Sequence, residues 1–336
     1  MIEPVRGSRR LTNREAKGNQ PGPMASKSTN TAEVTEQTIR LEETYSGWIT
    51  AQGHRAWKVA EYSSLYLAML AMMEVYIVIV LLSLPTSPAP IVAGLLTFAI
   101  YTNDRLVDVD ADESANPGRT AFIRQYSDEL YVLTALSYGV AAVIALTGGP
   151  LAFGLTLLPA AVWILYAIDW ANNFTTSFGR LKEFLILNSV LVAAAWSVTI
   201  VLLPVAFADR GFTASGAVIL LFFIVATFVT TEIANLGDVD SDRQTGVSTM
   251  PTTFGVVRTR QYLSAVTVSL AALPGIAVVL GLLSMVYGIA LSLGVISTLC
   301  VTMLVGRTDN SDRLAIVAEF TRVPVFIVLV VLSVAG

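Results

Sequence analysis

The chain has 336 residues, 54% hydrophobic and 14% charged, where a soluble domain carries about 25% charged residues. That balance marks a polytopic membrane protein, and the small net charge of −4 argues against nucleic acid as a partner. One cysteine, Cys300, and one histidine, His54, leave no disulfide framework and argue against histidine metal sites and Ser-His-Asp triads. The chemistry must run on carboxylates, Lys/Arg, Tyr and bound metal.

Residues 1–55 are rich in Ser, Thr, Asn, Gln and Glu and show no apolar periodicity, so a disordered polar tail is expected. The tail lacks the apolar stretch of a secretory signal, and Met24, followed by "ASKSTN", is a candidate start. Residues 56–336 read as one transmembrane domain. Apolar stretches recur near 62–84, 88–103, 129–147, 150–168, 183–205, 214–236, 262–283, 286–305 and 314–334. With ~20 residues needed per span, this predicts an all-α bundle of nine transmembrane helices around a central cavity. "PTSPAP", "TGGP" and the junction near Ser284 are tight turns on one side, while the connections after spans 2, 4, 6 and 8 are polar.

Basic residues set the orientation. Arg55 and Lys58 precede span 1; Arg105, Arg119 and Arg124 follow span 2; Arg180 and Lys182 follow span 4. Arg243, Arg258 and Arg260 follow span 6, and Arg307 and Arg313 follow span 8, whereas the opposite side shows only Arg210. The positive-inside rule then places the N-terminus and the connections after even-numbered spans in the cytoplasm.

Two of those connections are acidic. Asp104, Asp108 and Asp112 are spaced four apart, so a helix continuing out of span 2 would align them in one stripe, with Asp110 pointing away. The second cluster lies in "NLGDVDSDRQTGVSTMPTTFG", where Asp238 and Asp242 are again one helical turn apart. A solvated loop would explain one such cluster; two with matching spacing at one face of the membrane point to function. Like-charged stripes facing each other repel unless cations lie between them. Magnesium suits them best, since it favours oxygen ligands and commonly combines one or two carboxylates with substrate phosphates. Neither cluster fits an EF-hand calcium loop: Glu113 and Arg243 stand at its glycine position, Arg119 and Thr249 at its terminal glutamate.

These residues resemble the UbiA superfamily of intramembrane prenyltransferases. Its first motif, N-x-x-x-D-x-x-x-D followed by Asn, Pro and Arg, is similar to Asp108, Asp112, Pro117 and Arg119, with Asp104 in the usual Asn position and Asn103 just before it. Its second, D-x-x-x-D-R-x-x-G-x-x-T-x-P, is matched by Asp238, Asp242, Arg243, Gly246, Thr249 and Pro251. "GRLKEFLILNSVLVAAAW" resembles the basic segment leading into the fifth span. The likeness covers the chain from about residue 60 to the end and includes the nine-helix count.

The resemblance implies magnesium-dependent transfer of a prenyl group from a polyprenyl diphosphate to a lipophilic acceptor within the bilayer. It implies metal ligands at Asp104, Asp108, Asp112, Asp238 and Asp242, and catalytic roles for the last four and Lys182. Arg119, Arg180, Lys182 and Arg243 are expected on the diphosphate, and Asn103, Asn235 and Tyr166 at the rim of the substrate site. The acceptor stays open among aromatic acids, quinone precursors, glycerol ether lipids, tetrapyrroles and carotenoids. Two alternatives share the sequence: the same fold cyclising a prenyl chain or elongating or hydrating a carotenoid, and a cation-coupled transporter with carboxylates near the bilayer midplane.

Further ionisable groups fall inside spans. Glu74 and Glu232 are expected to orient the acceptor, promote proton loss or pack as hydrogen-bonded acids. Glu319 and Arg322, three apart, are expected to neutralise one another. Asp169, Asn172 and Asn173 are candidates for the rim, and Tyr101 reads as packing. Spans 1–4 and 5–8 are expected as parallel repeats, because each acidic motif ends the second helix of a four-helix set.

Overall fold

A computed structural model describes residues 50–110, 116–167, 185–239, 242–243, 248–308 and 310–335. The chain divides into two compact units, Met1–Ala56 and Trp57–Gly336. The expected tail lies outside the described residues up to residue 49, while residues 50–55, also assigned to it, are helical.

The helices are α1 (Thr50–Tyr62) and α2 (Leu65–Leu81), α3 (Ala89–Val107), α4 (Pro117–Gln125), α5 (Ser127–Leu146), α6 (Gly149–Ala167), α7 (Leu185–Phe207) and α8 (Ala214–Ala234). They continue as α9 (Met250–Phe254), α10 (Val256–Leu270), α11 (Ala272–Val279), α12 (Met285–Leu304), α13 (Ser311–Glu319), a 3-10 turn at Phe320–Arg322 and α14 (Val323–Ala335). No strand occurs among the described residues, so the class is all-α as expected.

Local chemistry starts these helices where the sequence places polar residues before apolar runs. Thr213 Oγ1 accepts from the Gly216 amide at 3.1 Å and Ser284 Oγ from that of Tyr287 at 3.3 Å, each satisfying an amide that the first turn would leave orphaned. Asn310 Oδ1 does the same for Arg313 at 2.8 Å. Pro159 and Pro204 lie inside α6 and α7, a placement tolerated in a membrane bundle because neighbouring helices and hydroxyl groups re-satisfy freed backbone.

Each expected apolar stretch coincides with helix, yet fewer qualify as spans by length and composition. Six do so among the described residues: Ser127–Leu146, Ser189–Phe207, Ala214–Ala234, Val256–Val279, Met285–Leu304 and Ser311–Ser333. A seventh is added if α1 and α2, bent by 77° at their junction, form one span. The expected nine are not reached by this measure. α2 has only 17 residues, α3 ends in the polar run "YTNDR", and the apolar part of α6 is the short helix Gly149–Ile164.

α3 packs on α2 and α5, α7 on α6 and α8, and α14 returns to pack on α2 and α12. Val75, Val78, Val92, Phe222, Phe223, Leu291 and Leu329 belong to one buried cluster at the centre. A smaller cluster of Val229, Ile233, Leu263, Val305 and Leu314 lies under the end of α8. The outer face exposes Met69, Val143, Leu151, Val279 and Val331, an apolar surface suited to lipid. The chain is an integral membrane protein.

Close helix approach depends on Gly294 in α12. A Cβ there would lie 2.8 Å from Val325 Cγ2 and 3.2 Å from Phe222 Cζ, whereas one at Gly154 would meet nothing within 4 Å. Gly294→Val is therefore expected to destabilise the bundle by roughly 1–3 kcal/mol through overpacking. Gly154→Ala should gain about 0.5–1 kcal/mol. Thermal denaturation of both variants in detergent checks the contrast.

Candidate active site

The first acidic end is built by the termination of α3. The Asp108 amide donates to the Asp104 carbonyl at 3.0 Å, and Asp108 itself, at φ −93° and ψ 12°, caps the helix. The stripe therefore runs from Asp104 to Asp108 and stops. The expected continuation to Asp112 does not hold through residues 108–110, which form a turn; Asp112 lies outside the described residues. Mutual repulsion among closely spaced carboxylates favours a solvated turn over further helix. Asp104 Oδ1 accepts from Trp163 Nε1 of α6 at 2.8 Å, a partner that sequence reasoning missed. Asp108 is exposed and Asn103 half-buried. Asp110, expected to point away, is exposed and paired with Arg124 at 2.8 Å.

The Asn-Pro-x-Arg stretch is a helix start. Asn116 Oδ1 accepts from the Arg119 amide at 3.2 Å, with Pro117 opening α4. The cap fixes the backbone of Arg119, whose side chain is half-buried.

The second acidic end has the spacing that the sequence implies. The Asp242 amide donates to the Asp238 carbonyl at 2.8 Å, a single helical turn between them. Thr249 Oγ1 donates to Asp242 Oδ2 at 3.3 Å, and the Thr249 amide donates to Thr252 Oγ1 at 2.8 Å in the capping box that starts α9. The Asp242 carboxyl is pushed up to about 6, first by burial and then by Asp238; Thr249 opposes the rise and Glu232 adds to it. Asp238 and Arg243 are exposed.

Glu232, fully buried, accepts from the Met250 amide at 3.1 Å and from Asn235 Nδ2 at 3.4 Å. Asn235 Nδ2 also donates to Ser189 Oγ at 3.4 Å. Of the roles open to Glu232 in the sequence, the structure displays a hydrogen-bonded one: it ties the loop after α8 back onto that helix.

The ends of α3 and α8 are each tied to neighbouring elements by a run of contacts. Thr102 and Arg105 of α3 donate to the carbonyls of Ser63 and Tyr62, at 2.8 and 2.9 Å. Tyr66 stacks on Phe320 with ring centroids 6.3 Å apart. Asp312, one helix earlier than Phe320, lies against Gly237, where a Cβ would be 3.0 Å from its Oδ1. Arg180, Lys182 and Gly246 lie outside the described residues, as do Asp169, Asn172 and Asn173; Tyr166 stands in the last turn of α6. Among the described residues no three acidic, His or Cys side chains gather closely enough to hold a metal ion.

Within the bundle lies an open cavity with about 520 Å³ of empty space, its mouth included. Glu74, Tyr101, Trp196, Thr227, Thr231, Glu319 and Arg322 are among the residues that line it. Tyr101, which the sequence suggested was packing, stacks on Trp196 at 5.5 Å and 24° and forms part of the wall. Arg322, expected to pair with Glu319, forms its ion pair with Glu74 through Nε, and its Nη2 donates to Thr227 Oγ1 at 3.2 Å. The threonines had a legible signal: Thr227, Thr230 and Thr231 recur at helical spacing in an otherwise apolar stretch. Trp163 and Trp196 had none.

A family model described as the UbiA prenyltransferase family matches residues 89–328. No curated protein matches the chain in sequence. Two solved structures share its fold. One comes from a study of the biosynthesis of digeranylgeranylglyceryl phosphate synthase in membranes. It has a TM-score of 0.54 and 14% identity, over 83% of this chain and 98% of the other. The second is the apo structure of a UbiA homolog from Aeropyrum pernix K1, with a TM-score of 0.59 and 14% identity, over 80% of this chain and 98% of the other.

If Glu232 holds the loop, Glu232→Ala leaves the buried Met250 amide without its acceptor and costs about 1–3 kcal/mol, whereas Glu232→Gln keeps an oxygen there and costs less. Thermal denaturation, with limited proteolysis of residues 235–250, measures both.

Proposed function

Because the chain belongs to the UbiA prenyltransferase family, we propose that it transfers a prenyl group from a polyprenyl diphosphate to a lipophilic acceptor in the bilayer, with magnesium. The observation that carries this reading is the Asp238–Asp242 turn with Thr249 bonded to the Asp242 carboxylate. It gives the second motif a physical role: a donor pair presented at a helix end and held in orientation by the loop that follows.

The donor chemistry fits a hard divalent ion. All candidate ligands are carboxylate oxygens, and the Asp242 carboxyl, raised first by burial and then by the negative charge of Asp238, is a group whose ionised form a cation would favour. Asp104, Asp108, Asp112, Asp238 and Asp242 would hold magnesium, which when bound offsets the charge growing on the departing diphosphate. Trp163 fixes the plane of the Asp104 carboxylate. Arg119, placed by the Asn116 cap, binds phosphate oxygens together with Arg180, Lys182 and Arg243. Lys182 also meets the charge of the leaving group as the carbon–oxygen bond breaks, and Asn103, Asn235 and Tyr166 line the rim. The allylic cation so formed is stabilised by aromatic faces, and Tyr101 and Trp196 supply them in the cavity wall. The catalytic unit is the domain 56–336, with its N-terminus and acidic ends cytoplasmic.

The transporter reading needs interior carboxylates able to bind a cation. Glu74 is interior but bonded to Arg322, which makes it a poor cation ligand, and Glu319 shares the cavity wall with that same guanidinium.

Purified protein incubated with labelled prenyl diphosphates of several lengths and a panel of acceptors, with and without magnesium, tests the proposal. Prenylated product should form only with metal; turnover without an acceptor would instead assign the chain to prenyl cyclisation. Asp108→Ala, Asp112→Ala, Asp238→Ala and Asp242→Ala should each abolish diphosphate release, and wild-type turnover in any one removes that residue from the site.

A milder defect is expected of Thr249→Val, about 10–100-fold, as for outer partners of metal ligands. A ligating carboxyl must lose its proton, and the Asp242 value of about 6 lies above the ordinary one. At limiting magnesium, activity should therefore rise with pH through about 6. Thr249→Val, which removes a bond favouring the ionised form, should move that rise to higher pH.

A further inference from the structure

We propose that the intramembrane cavity seats the acceptor and admits an uncharged one, whose hydroxyl or carbonyl oxygen is bonded by Nη1 of Arg322. The inference rests on the prenyl-transfer reading and supplies the acceptor class that reading leaves open.

Arg322 is 2% exposed and lines the cavity. Its Nε is taken by Glu74 and its Nη2 by Thr227, while Nη1 is buried with no hydrogen-bond partner among the described residues. A buried guanidinium N–H without an acceptor is costly. A ligand oxygen in the adjoining cavity removes that cost.

Charge decides which oxygen. One guanidinium faces two carboxyl groups, Glu74 bonded to it and Glu319 on the same cavity wall. A carboxylate or phosphate ligand would add a further negative charge to a set that already matches or exceeds the single cation, in surroundings too apolar to screen it. A hydroxyl or carbonyl satisfies Nη1 without that penalty. The Tyr101–Trp196 stack provides a flat wall for the apolar body of such a ligand.

Position supports the role. Tyr101 precedes Asp104 by less than one turn of α3, and Thr231 lies in the last turn of α8, ahead of the segment that carries Asp238. The cavity thus lies on the bilayer side of the carboxylates proposed to hold the diphosphate, where the acceptor must meet the prenyl carbon.

The test uses the full chain in lipid nanodiscs and equilibrium binding of two radiolabelled probes, 4-dodecylphenol and 4-dodecylbenzoate, without donor or metal, after subtraction of empty nanodiscs. Wild type is expected to bind the phenol at least about tenfold more tightly than the benzoate. Arg322→Gln should weaken phenol binding by about tenfold.

Should that variant fail to fold, Glu74→Gln carries the test. It keeps an acceptor for Nε and removes one negative charge, so benzoate binding should strengthen by about tenfold, a gain that a packing role would not produce. Benzoate binding within about threefold of phenol in wild type, or no gain in Glu74→Gln, overturns the proposal. Phenol selectivity in a protein that releases diphosphate from no donor overturns the transfer reading, and with it the assignment of the cavity to an acceptor.

Discussion

The ion pair between Arg322 and Glu74 joins two helices whose residues stand 248 positions apart in sequence, and it does so where water is scarce. Ions placed in such surroundings lose several kcal/mol of hydration each, and attraction between them recovers this only when geometry and further hydrogen bonds are good. Arg322 meets that condition in part, through Glu74 and Thr227, with Phe223 6.0 Å from the guanidinium, while Nη1 is left over. The pair also fixes how α14 returns to α2, and so bounds one side of the cavity. Everything proposed for the interior follows from a bundle that tolerates a charge there because the charge is matched.

At the membrane surface the same electrostatics runs the other way. Carboxylates stand at two helix ends, and neighbours of different chemistry orient Asp104 and Asp242. Trp163 fixes Asp104, the Asp238 turn and Thr249 fix Asp242, and Glu232 secures the loop that carries Thr249. Arg105, read from sequence only as topology-setting charge, donates to carbonyls at the end of α1 and anchors the tip of α3. Charge is thus handled in two ways in one bundle, by acids at helix ends and by an ion pair in the interior.

What was legible in the sequence was what lies close along the chain. Asp238 and Asp242 are four residues apart, and that spacing already implied the single turn between them. The caps at Thr249 and Asn116 became visible only in the structure. The bond from Trp163 to Asp104 spans 59 residues and that from Arg322 to Glu74 spans 248, and periodicity carries no information over such separations. Local reasoning gave Arg322 its near neighbour Glu319, where tertiary packing gave it Glu74. The stripe is interrupted after Asp108 for a related reason: spacing fixes alignment only while the helix lasts, and α3 ends at Val107, while Asp112 lies outside the described residues. Among the described residues fewer than nine helices qualify as spans by length and composition, because several apolar stretches are short or end in polar residues.

The match between Glu74 and Arg322 has a consequence for biosynthesis. Glu74 is translated and enters the bilayer with the earliest helices, long before the ribosome reaches codon 322. During that interval its carboxyl lacks the guanidinium that offsets it in the finished bundle, so the early helices dwell in a state of incomplete electrostatic closure. Electrostatic closure around Glu74 therefore waits for the segment that carries Arg322, and a chain cut short ahead of that segment would leave the acid to be neutralised by a proton instead.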